Sequence, residues 1–440
     1  MRLPHLCRLA AVLPLLVPAL ASAQGAVNAS LPPLASFDSA WAAISRTYWD
    51  QALLDGRWKI VRDSLREGLG GEATAADVRR AVRALIAVPK QSHFVLIPGD
   101  AAPTAGRAAR EPGTAGLEVR PLDGAIIAWR IAAGSVAALA GIKPGDRIVQ
   151  VDSFPVDSMQ RVLRASAPDA GVGDHLLASF IAARLSGGLG QEVRVDIVDA
   201  SGRRRALLLE RSGIEGQVTR FGNLPPFAVH VSMSRVPVAP GDPRTIAVVR
   251  FNGWFPALSA GLDSAFFGSR DAAGLVIDLR GNPGGVVGMI AGVSGHMLDT
   301  VISLGELRQR TSVIRFSANP RRVDPSGTLT APFAGPIAIL IDEFSASTSE
   351  FFASGMQALG RAKVFGSRSA GMALPAAAIR LPSGDVMMHV IADHQDPKGR
   401  RVEGVGIVPD VLAPLRLEDL RAGRDAALEA AREWIAAGTP

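Results

Sequence analysis

A predicted strand-turn-helix segment, residues 335–360, constrains the fold of this chain more than any other stretch. Its first part, Ile337–Ile341, is five consecutive apolar residues, which is typical of a fully buried strand. A turn of small hydroxylated residues follows and contains Ser345, Ser347 and Ser349. Apolar residues at roughly helical spacing then continue to the end of the segment. The segment therefore predicts a buried strand that runs through a tight turn into a helix.

Such a turn places one of its side chains at the N-terminus of the helix. There the free N–H groups and the positive end of the helix dipole favour developing negative charge. A serine in that position can be the nucleophile of an acyl transfer, and the amide that follows it can donate to an oxyanion. On this segment alone the serines could equally be helix-capping residues. The rest of the chain has to decide between these interpretations.

Length and composition place the chain among globular proteins of two or three domains. It has 440 residues, of which 48% are apolar and 20% are charged. No segment after the N-terminus approaches the roughly 18 consecutive apolar residues of a membrane-spanning helix, so we expect no permanent membrane anchor. The net charge of +6 is mild, and no block of Lys and Arg is interleaved with aromatic residues. These features argue against a nucleic-acid partner.

Residues 1–23 have the pattern of a secretory signal peptide. Basic Arg2 and Arg8 precede an apolar run, and the small residues 21–23 predict cleavage after Ala23. The protein is therefore expected to be exported to the periplasm or the extracellular space. Cys7 is the only cysteine, so the mature chain would have no disulfide, thiol nucleophile or zinc-thiolate site.

Two predicted units precede the region of the hydroxylated turn. Residues 24–112 predict a helical N-terminal cap and a linker, and the cap closes on a strand-like run that carries Ser92 and His93. Residues 113–212 predict a β-rich unit in which the segment 134–146 resembles the short helix and turn of a PDZ domain. The alternative to a peptide-binding PDZ is a spacer of the same shape. The residues at the place of a PDZ carboxylate-binding loop are Gly113, Thr114, Ala115, Gly116 and Leu117.

The third unit, residues 213–440, alternates strand and helix patterns and ends in an amphipathic helix. Gly284 and Gly285 follow a predicted strand, where the absence of Cβ atoms lets backbone amides approach a ligand. No Gly-Lys-Ser/Thr follows, so a nucleotide-binding P-loop is excluded. An oxyanion hole is the other use of such a turn.

Three ordered motifs resemble the C-terminal processing and tricorn-type serine peptidases: DLRGNPGG at 278–285, SASTSE at 345–350 and EGVGIVPD at 403–410. The resemblance implies an α/β fold, with a β/α-spiral core of the crotonase and Clp-protease kind, an inserted PDZ domain and a helical N-terminal cap. It further implies that Ser347 is the nucleophile and that the N–H groups of Gly284 and Thr348 form the oxyanion hole.

The chain departs from this family at the general base. C-terminal processing peptidases use a lysine 25 residues after the nucleophile, and here that position is Met372, which cannot accept a proton. The tricorn-like branch uses a histidine preceded by a serine, together with a glutamate before the G-V-x-P-D motif. Ser92, His93 and Glu403 occupy those places. An imidazole with a pKa near ~6.5 could take the serine proton at neutral pH, so the rate should rise with pH through about 6–7.

Several alternatives stay open from the residues alone. Asp393 or Asp396 could replace Glu403, and Lys363 or Lys398 could be the base. No metal or cofactor is implied, since His389 and His394, five apart on a strand pattern, point to opposite faces. The sequence thus predicts an exported serine endopeptidase that acts on proteins or peptides, and the PDZ resemblance implies recognition of their free C-termini. The alternative is a catalytically inactive peptidase-fold protein that binds a peptide or an apolar ligand.

Overall fold

The computed structural model describes residues 34–70, 72–99, 111–166, 170–214, 216–220 and 227–438. The predicted signal peptide lies outside these ranges, as does most of the predicted linker. Within them, no helix combines the length and apolar character needed to cross a bilayer.

Three groups of elements follow one another along the described chain. The first contains α1 (Leu34–Thr47), α2 (Gln51–Leu53), α3 (Lys59–Gly68), α4 (Ala75–Ile86) and β1 (Val95–Ile97). The second contains β2 (Pro112–Thr114), β3 (Leu117–Leu122), β4 (Ala125–Ile131), α5 (Val136–Leu139), β5 (Arg147–Val151), β6 (Phe154–Pro155), α6 (Val156–Ser166), α7 (Ala170–Leu185), β7 (Ser186–Gly188), β8 (Glu192–Val198), β9 (Arg204–Glu210) and β10 (Ser212–Gly213). The third contains β11 (Gln217–Thr219), β12 (Phe227–Val229), β13 (Val231–Pro237), β14 (Thr245–Phe251), α8 (Ser259–Phe267), β15 (Gly274–Asp278), α9 (Met289–Ser294), β16 (Ser303–Arg308), β17 (Val313–Ser317), β18 (Ile337–Ile341), α10 (Thr348–Ala358), β19 (Lys363–Gly366), β20 (Ala376–Arg380), β21 (Val386–Val390), β22 (Asp393–Gln395), β23 (Val411–Leu412), α11 (Leu417–Arg421) and α12 (Ala426–Ala436).

The central sheet of the third group has the strand order β13-β14-β15-β18-β19-β23. All neighbours from β14 onward pair in parallel, and β15 and β18 are buried at every residue. Strands of this kind need cover on both faces. Helices α8, α9 and α10 pack on one face, and Ala427, Ala431 and Ile435 of α12 pack on the other. The predicted α/β fold is confirmed.

The parallel pairing of β15 and β18 brings the two predicted catalytic turns together. Asp278, the last residue of β15, lies opposite Leu340 near the end of β18. The turn after β15 contains Gly284 and Gly285 of the DLRGNPGG motif, and the turn after β18 contains Ser347. Because the carboxyl ends of parallel strands meet at one edge of the sheet, both turns open on the same side.

The N-terminal helices share a hydrophobic core with the third group. Phe37, Tyr48 and Trp58 are fully buried and belong to the same cluster as Leu374 and Met387. Strand β1 pairs antiparallel with β21, which itself pairs with β20. This pairing holds the segment before β1, and therefore Ser92 and His93, against the catalytic unit.

The PDZ-like unit contacts the catalytic unit through charged side chains. Arg120 of β3 donates to Asp342 at 3.0 Å, and Arg130 of β4 donates to Asp278 at 2.7 Å. The guanidinium carbons of both arginines lie 3.9 Å from the ring centroid of Trp129. Since Asp278 and Asp342 flank the two catalytic turns, the position of the PDZ-like unit is tied to the site.

Candidate active site

Ser347 is the residue that directly precedes α10. Its backbone has φ 55° and ψ −119°, in the left-handed region that a non-glycine residue adopts at a cost of about 1–3 kcal/mol. Its N–H donates to the carbonyl of Met372 at 2.8 Å and to the Glu350 carboxylate at 3.0 Å. These contacts hold a strained turn that leaves the side chain partly exposed at the helix N-terminus. The position suits a nucleophile.

The neighbouring serines are structural. Ser345 is fully buried, and its hydroxyl donates to the Leu279 carbonyl at 2.8 Å, which links the two catalytic turns. Ser349 is also fully buried, and its hydroxyl accepts from the Trp254 indole N–H at 2.9 Å. Of the three serines named from the sequence, Ser347 alone is partly exposed.

His93, Ser92 and Glu403 form a hydrogen-bonded relay across 311 residues of chain. Glu403 accepts from the Ser92 hydroxyl at 2.9 Å and from the Ser92 N–H at 2.8 Å. The Ser92 hydroxyl lies 2.6 Å from Nδ1 of His93. A hydroxyl has one proton, so if it donates to Glu403, Nδ1 must carry the ring proton and donate to Ser92. This tautomer leaves the lone pair on Nε2, where a general base needs it.

Burial lowers the pKa of His93 from 6.5 to about 4. The imidazole is therefore neutral, and able to accept a proton, throughout the range from pH 5 upward. An imidazole with an ordinary pKa would titrate at about pH 6–7, as expected from the sequence, whereas burial of this ring moves its titration to lower pH. His93 also has a positive φ of 63°, so its backbone, like that of Ser347, is in the left-handed region.

Consecutive residues connect the relay to the nucleophile. The carbonyl of Met372 accepts from Ser347, while the N–H of Ala373 donates to Glu403 at 2.8 Å. Met372, which occupies the lysine position, thus contributes through its backbone. No hydrogen bond joins the Ser347 hydroxyl to the His93 ring within the described ranges. Catalytic hydrogen bonds of this kind often form only when substrate is bound.

The turn that contains Gly284 differs from the prediction that the N–H groups of Gly284 and Thr348 form the oxyanion hole. The N–H of Gly284 donates to Oδ1 of Asn282 at 3.0 Å, so this expected donor is already engaged. Over the described part of the chain, the N–H groups of Gly285 and Thr348 have no hydrogen-bond partner. These two residues are joined by a 2.9 Å hydrogen bond from the Thr348 hydroxyl to the Gly285 carbonyl. A Cβ on Gly284 would lie 2.6 Å from Cβ of Ser347, which explains the glycine there.

The structure also decides among the alternatives for the base and its partner. Asp393 pairs with Arg401, and Asp396 pairs with an arginine four residues later, so neither contacts the relay. Lys398 is exposed on its loop. The Lys363 ammonium lies 5.7 Å from the ring centroid of Trp434, on the α12 side of the sheet. Neither lysine is part of the site.

His389 and His394, the pair considered as metal ligands from the sequence, make packing and side-chain contacts outside the relay. His389 Nδ1 lies 3.3 Å from the Thr47 hydroxyl, and the His394 ring stacks on Phe351 with 3.9 Å between centroids. Over the ranges that the structure describes, no group of three or more His, Cys, Asp and Glu side chains is arranged to hold a metal ion.

In the predicted PDZ loop, residues 113–117, the backbone is hydrogen-bonded within the PDZ-like unit. Gly113 and Thr114 belong to β2, which pairs with β7 and β10 on its two sides. The N–H of Ala115 donates to the Leu185 carbonyl at 3.0 Å, and the N–H of Gly116 donates to the Thr114 hydroxyl at 3.1 Å. Leu117 is buried at the start of β3. The loop therefore does not present its amides as a free carboxylate-binding nest in this conformation.

Sequence reasoning missed Glu350. It is fully buried and lies three residues after Ser347, the spacing at which a glutamate reaches back to the residue before a helix. That spacing is the signal that could have identified it. Besides the Ser347 N–H, its carboxylate accepts from Ser369, Gly371 and Met372.

Comparisons with known proteins agree with this geometry. Residues 245–413 match the model of peptidase family S41, and residues 130–169 match that of a PDZ domain. The chain is 26% identical over 388 residues to the chloroplastic C-terminal processing peptidase of Tetradesmus obliquus. This alignment covers 85% of this chain and 76% of the relative. It is 32% identical over 160 residues to the carboxy-terminal-processing protease of Bartonella bacilliformis, which covers 35% and 34% of the two chains.

Among solved structures, the photosystem II D1 C-terminal processing protease has the same fold. Its TM-score is 0.60 at 22% identity, and the superposition covers 92% of this chain and 98% of that chain. The sequence matches, the shared fold and the ordered motifs agree with one another. They show that residues 245–413 resemble the serine peptidases of family S41 and that residues 130–169 resemble a PDZ domain.

Proposed function

We propose that this protein is an endopeptidase that cleaves proteins or peptides with Ser347 as nucleophile and His93 as general base. The relay of Glu403, Ser92 and His93, connected through Ala373 to the segment that holds Ser347, is the observation that supports it. Relatives named as C-terminal processing peptidases support hydrolysis of peptide bonds as the reaction.

The proposed mechanism gives each group of the relay one role. Nε2 of His93 accepts the Ser347 hydroxyl proton while Oγ attacks the substrate carbonyl carbon. The imidazolium that forms donates from Nδ1 to Ser92, whose hydroxyl donates to the Glu403 carboxylate, so the new charge is stabilised across the relay. His93 then gives the proton from Nε2 to the leaving amine. In the second half of the reaction water attacks the acyl carbon and gives a proton to the same ring, which returns it to Ser347 Oγ as the Oγ–acyl bond breaks and the acid product leaves.

Gly285 and Thr348 are the oxyanion donors in this proposal. Both N–H groups lack partners within the described ranges, and the two residues are joined by the Thr348 hydroxyl, whereas the Gly284 N–H is held by Asn282. Donors that are already oriented stabilise the tetrahedral intermediate by about 3–4 kcal/mol each. Gly284 then has a steric role, since it lets the turn approach Ser347.

The substrate and the cellular site belong to the same proposal. The N-terminal pattern up to Ala23 supports export to the periplasm or the extracellular space. Because the PDZ loop holds its own amides, we propose that recognition depends on an unfolded chain rather than on a free C-terminal carboxylate.

The test combines a serine-directed fluorophosphonate probe with hydrolysis of an unfolded protein such as casein. The full chain should be labelled and active, Ser347→Ala should lose both properties, and Ser345→Ala should retain labelling. If the full chain is neither labelled nor active while Ser347→Ala binds the unfolded protein equally well, the chain is an inactive binding protein and the proposal fails.

A further inference from the structure

The buried carboxylate of Glu350 joins two separate parts of the active site. Oε2 accepts from the N–H of Ser347 and from the N–H of Met372, each at 3.0 Å. Oε1 accepts from the Ser369 hydroxyl at 2.6 Å and from the N–H of Gly371 at 2.8 Å. The nucleophile is thus connected to the segment 369–372 through one side chain.

That segment is also the connection to the base. Residue Ala373, which follows it directly, donates to Glu403, and Glu403 holds Ser92 beside His93. The position of Ser347 relative to His93 therefore depends on the 369–373 segment, and Glu350 is the side chain that holds this segment against the nucleophile turn.

We propose that Glu350 is a positioning residue whose ionised carboxylate clamps Ser347 to the 369–373 segment, and that protonation of Glu350 opens this clamp and switches the peptidase off. The inference rests on the function proposed above, since it concerns how the same Ser347 and His93 are aligned.

The hydrogen-bond pattern requires the ionised form. All four partners are donors, namely three main-chain N–H groups and one hydroxyl. The hydroxyl of Ser369 also accepts from the N–H of Ile407 at 2.6 Å, so its own proton is directed to Glu350. Protonation at Oε2 would direct an O–H against a main-chain N–H, and protonation at Oε1 would reverse the Ser369 contact and make that hydroxyl accept two hydrogen bonds, so either site disrupts the observed arrangement.

The surroundings make protonation accessible near neutral pH. Burial raises the pKa of Glu350 from 4.5 to about 7, and the four hydrogen bonds lower it only in part. Titratable side chains on the neighbouring segments include Arg368, which directly precedes Ser369, His394, whose ring stacks on Phe351, and Glu403, which accepts from Ala373. Within the described ranges, none of these is a hydrogen-bond partner of the Glu350 carboxylate.

The low pKa of His93 separates the two groups experimentally. His93 is neutral above about pH 5, whereas Glu350 changes its charge near pH 7. Below pH 7, kcat/KM for an unfolded protein should therefore fall by about tenfold for each pH unit as the clamp opens. This loss of activity reports Glu350 and not the base.

The experiment measures kcat/KM between pH 5 and 9 in the full chain and in three variants. Glu350→Gln presents an amide donor to the main-chain N–H groups, so kcat should fall by about 10²-fold, as for a misplacement of ~1 Å, and the loss of activity below pH 7 should disappear. Glu350→Asp keeps a carboxylate, so it should recover part of the rate and show a fall of kcat/KM at low pH.

Glu343→Gln is the matched control. Burial also raises the pKa of Glu343, but its carboxylate binds Ser367 instead, so this variant should behave as the full chain does.

A Glu350→Gln enzyme with the full rate and an unchanged pH profile would overturn the inference. If that variant does not fold, ¹³C NMR of the glutamate carboxyls in the inactive Ser347→Ala protein measures the pKa of Glu350 directly. A pKa of Glu350 below 5 would also overturn the inference. A failure of the proposed function would give another result. An active His93→Asn enzyme would refute His93 as base, while its kcat/KM would still fall below pH 7 because of Glu350.

Discussion

The buried ring of His93 makes the stability of the folded protein depend on pH. Its pKa is 6.5 in the unfolded chain and about 4 in the folded one. Because the folded value is depressed, the unfolded chain binds the proton first, and stability is lost as pH falls from 6.5 towards 4. One pKa unit corresponds to about 1.4 kcal/mol, so at pH 5 His93 alone should lower the free energy of unfolding by about 2 kcal/mol, and at most by about 3 kcal/mol at pH 4.

Urea denaturation of the full chain and of His93→Asn, each at pH 7.5 and pH 5, measures this quantity. Asparagine is the best replacement because φ at this position is 63°, a region that asparagine adopts more readily than most residues. Other buried groups, including His394, whose pKa burial also lowers to about 4, contribute to both proteins and cancel. The full chain should lose about 2 kcal/mol more than the variant. Equal losses, or an NMR titration of His93 near pH 6.5, would refute the reasoning.

Three further outcomes are expected. His93→Asn should lower kcat by roughly 10³-fold or more, whereas Met372→Ala should have a small effect because Met372 acts through its backbone. The measurement is kcat of each variant with casein as substrate. A larger loss of kcat in Met372→Ala than in His93→Asn would contradict the assignment of His93 as base. Ser345→Ala should lower the free energy of unfolding by about 1–3 kcal/mol in urea denaturation, since it leaves the buried Leu279 carbonyl unpaired; no change would mean that this bond is not formed. A peptide and its C-terminal amide should bind with the same Kd in calorimetry, and tighter binding of the acid would show that the loop at 113–117 opens.

The sequence by itself determined the features that depend on local chemistry. A run of five apolar residues can only be a buried element, and a turn of small residues after it places a side chain at a helix N-terminus. The strand-turn-helix segment and the turn with two glycines follow from such short-range patterns, whereas the choice of Ser347 among three serines and the β/α-spiral fold came from the resemblance of the ordered motifs to a known family. The Ser92-His93 pair and Glu403 were identified by resemblance and by position, because no local pattern connects residues 311 positions apart.

Only the tertiary structure decided how these groups act. The orientation of single peptide units leaves the N–H groups of Gly285 and Thr348 free and engages that of Gly284, and a sequence carries no signal for that. The pKa values of His93 and Glu350 move in opposite directions from their ordinary values because burial disfavours the charged form of each, which is the cation of one and the anion of the other. Burial is a property of the packed chain, so the protonation state of this site is determined by the fold.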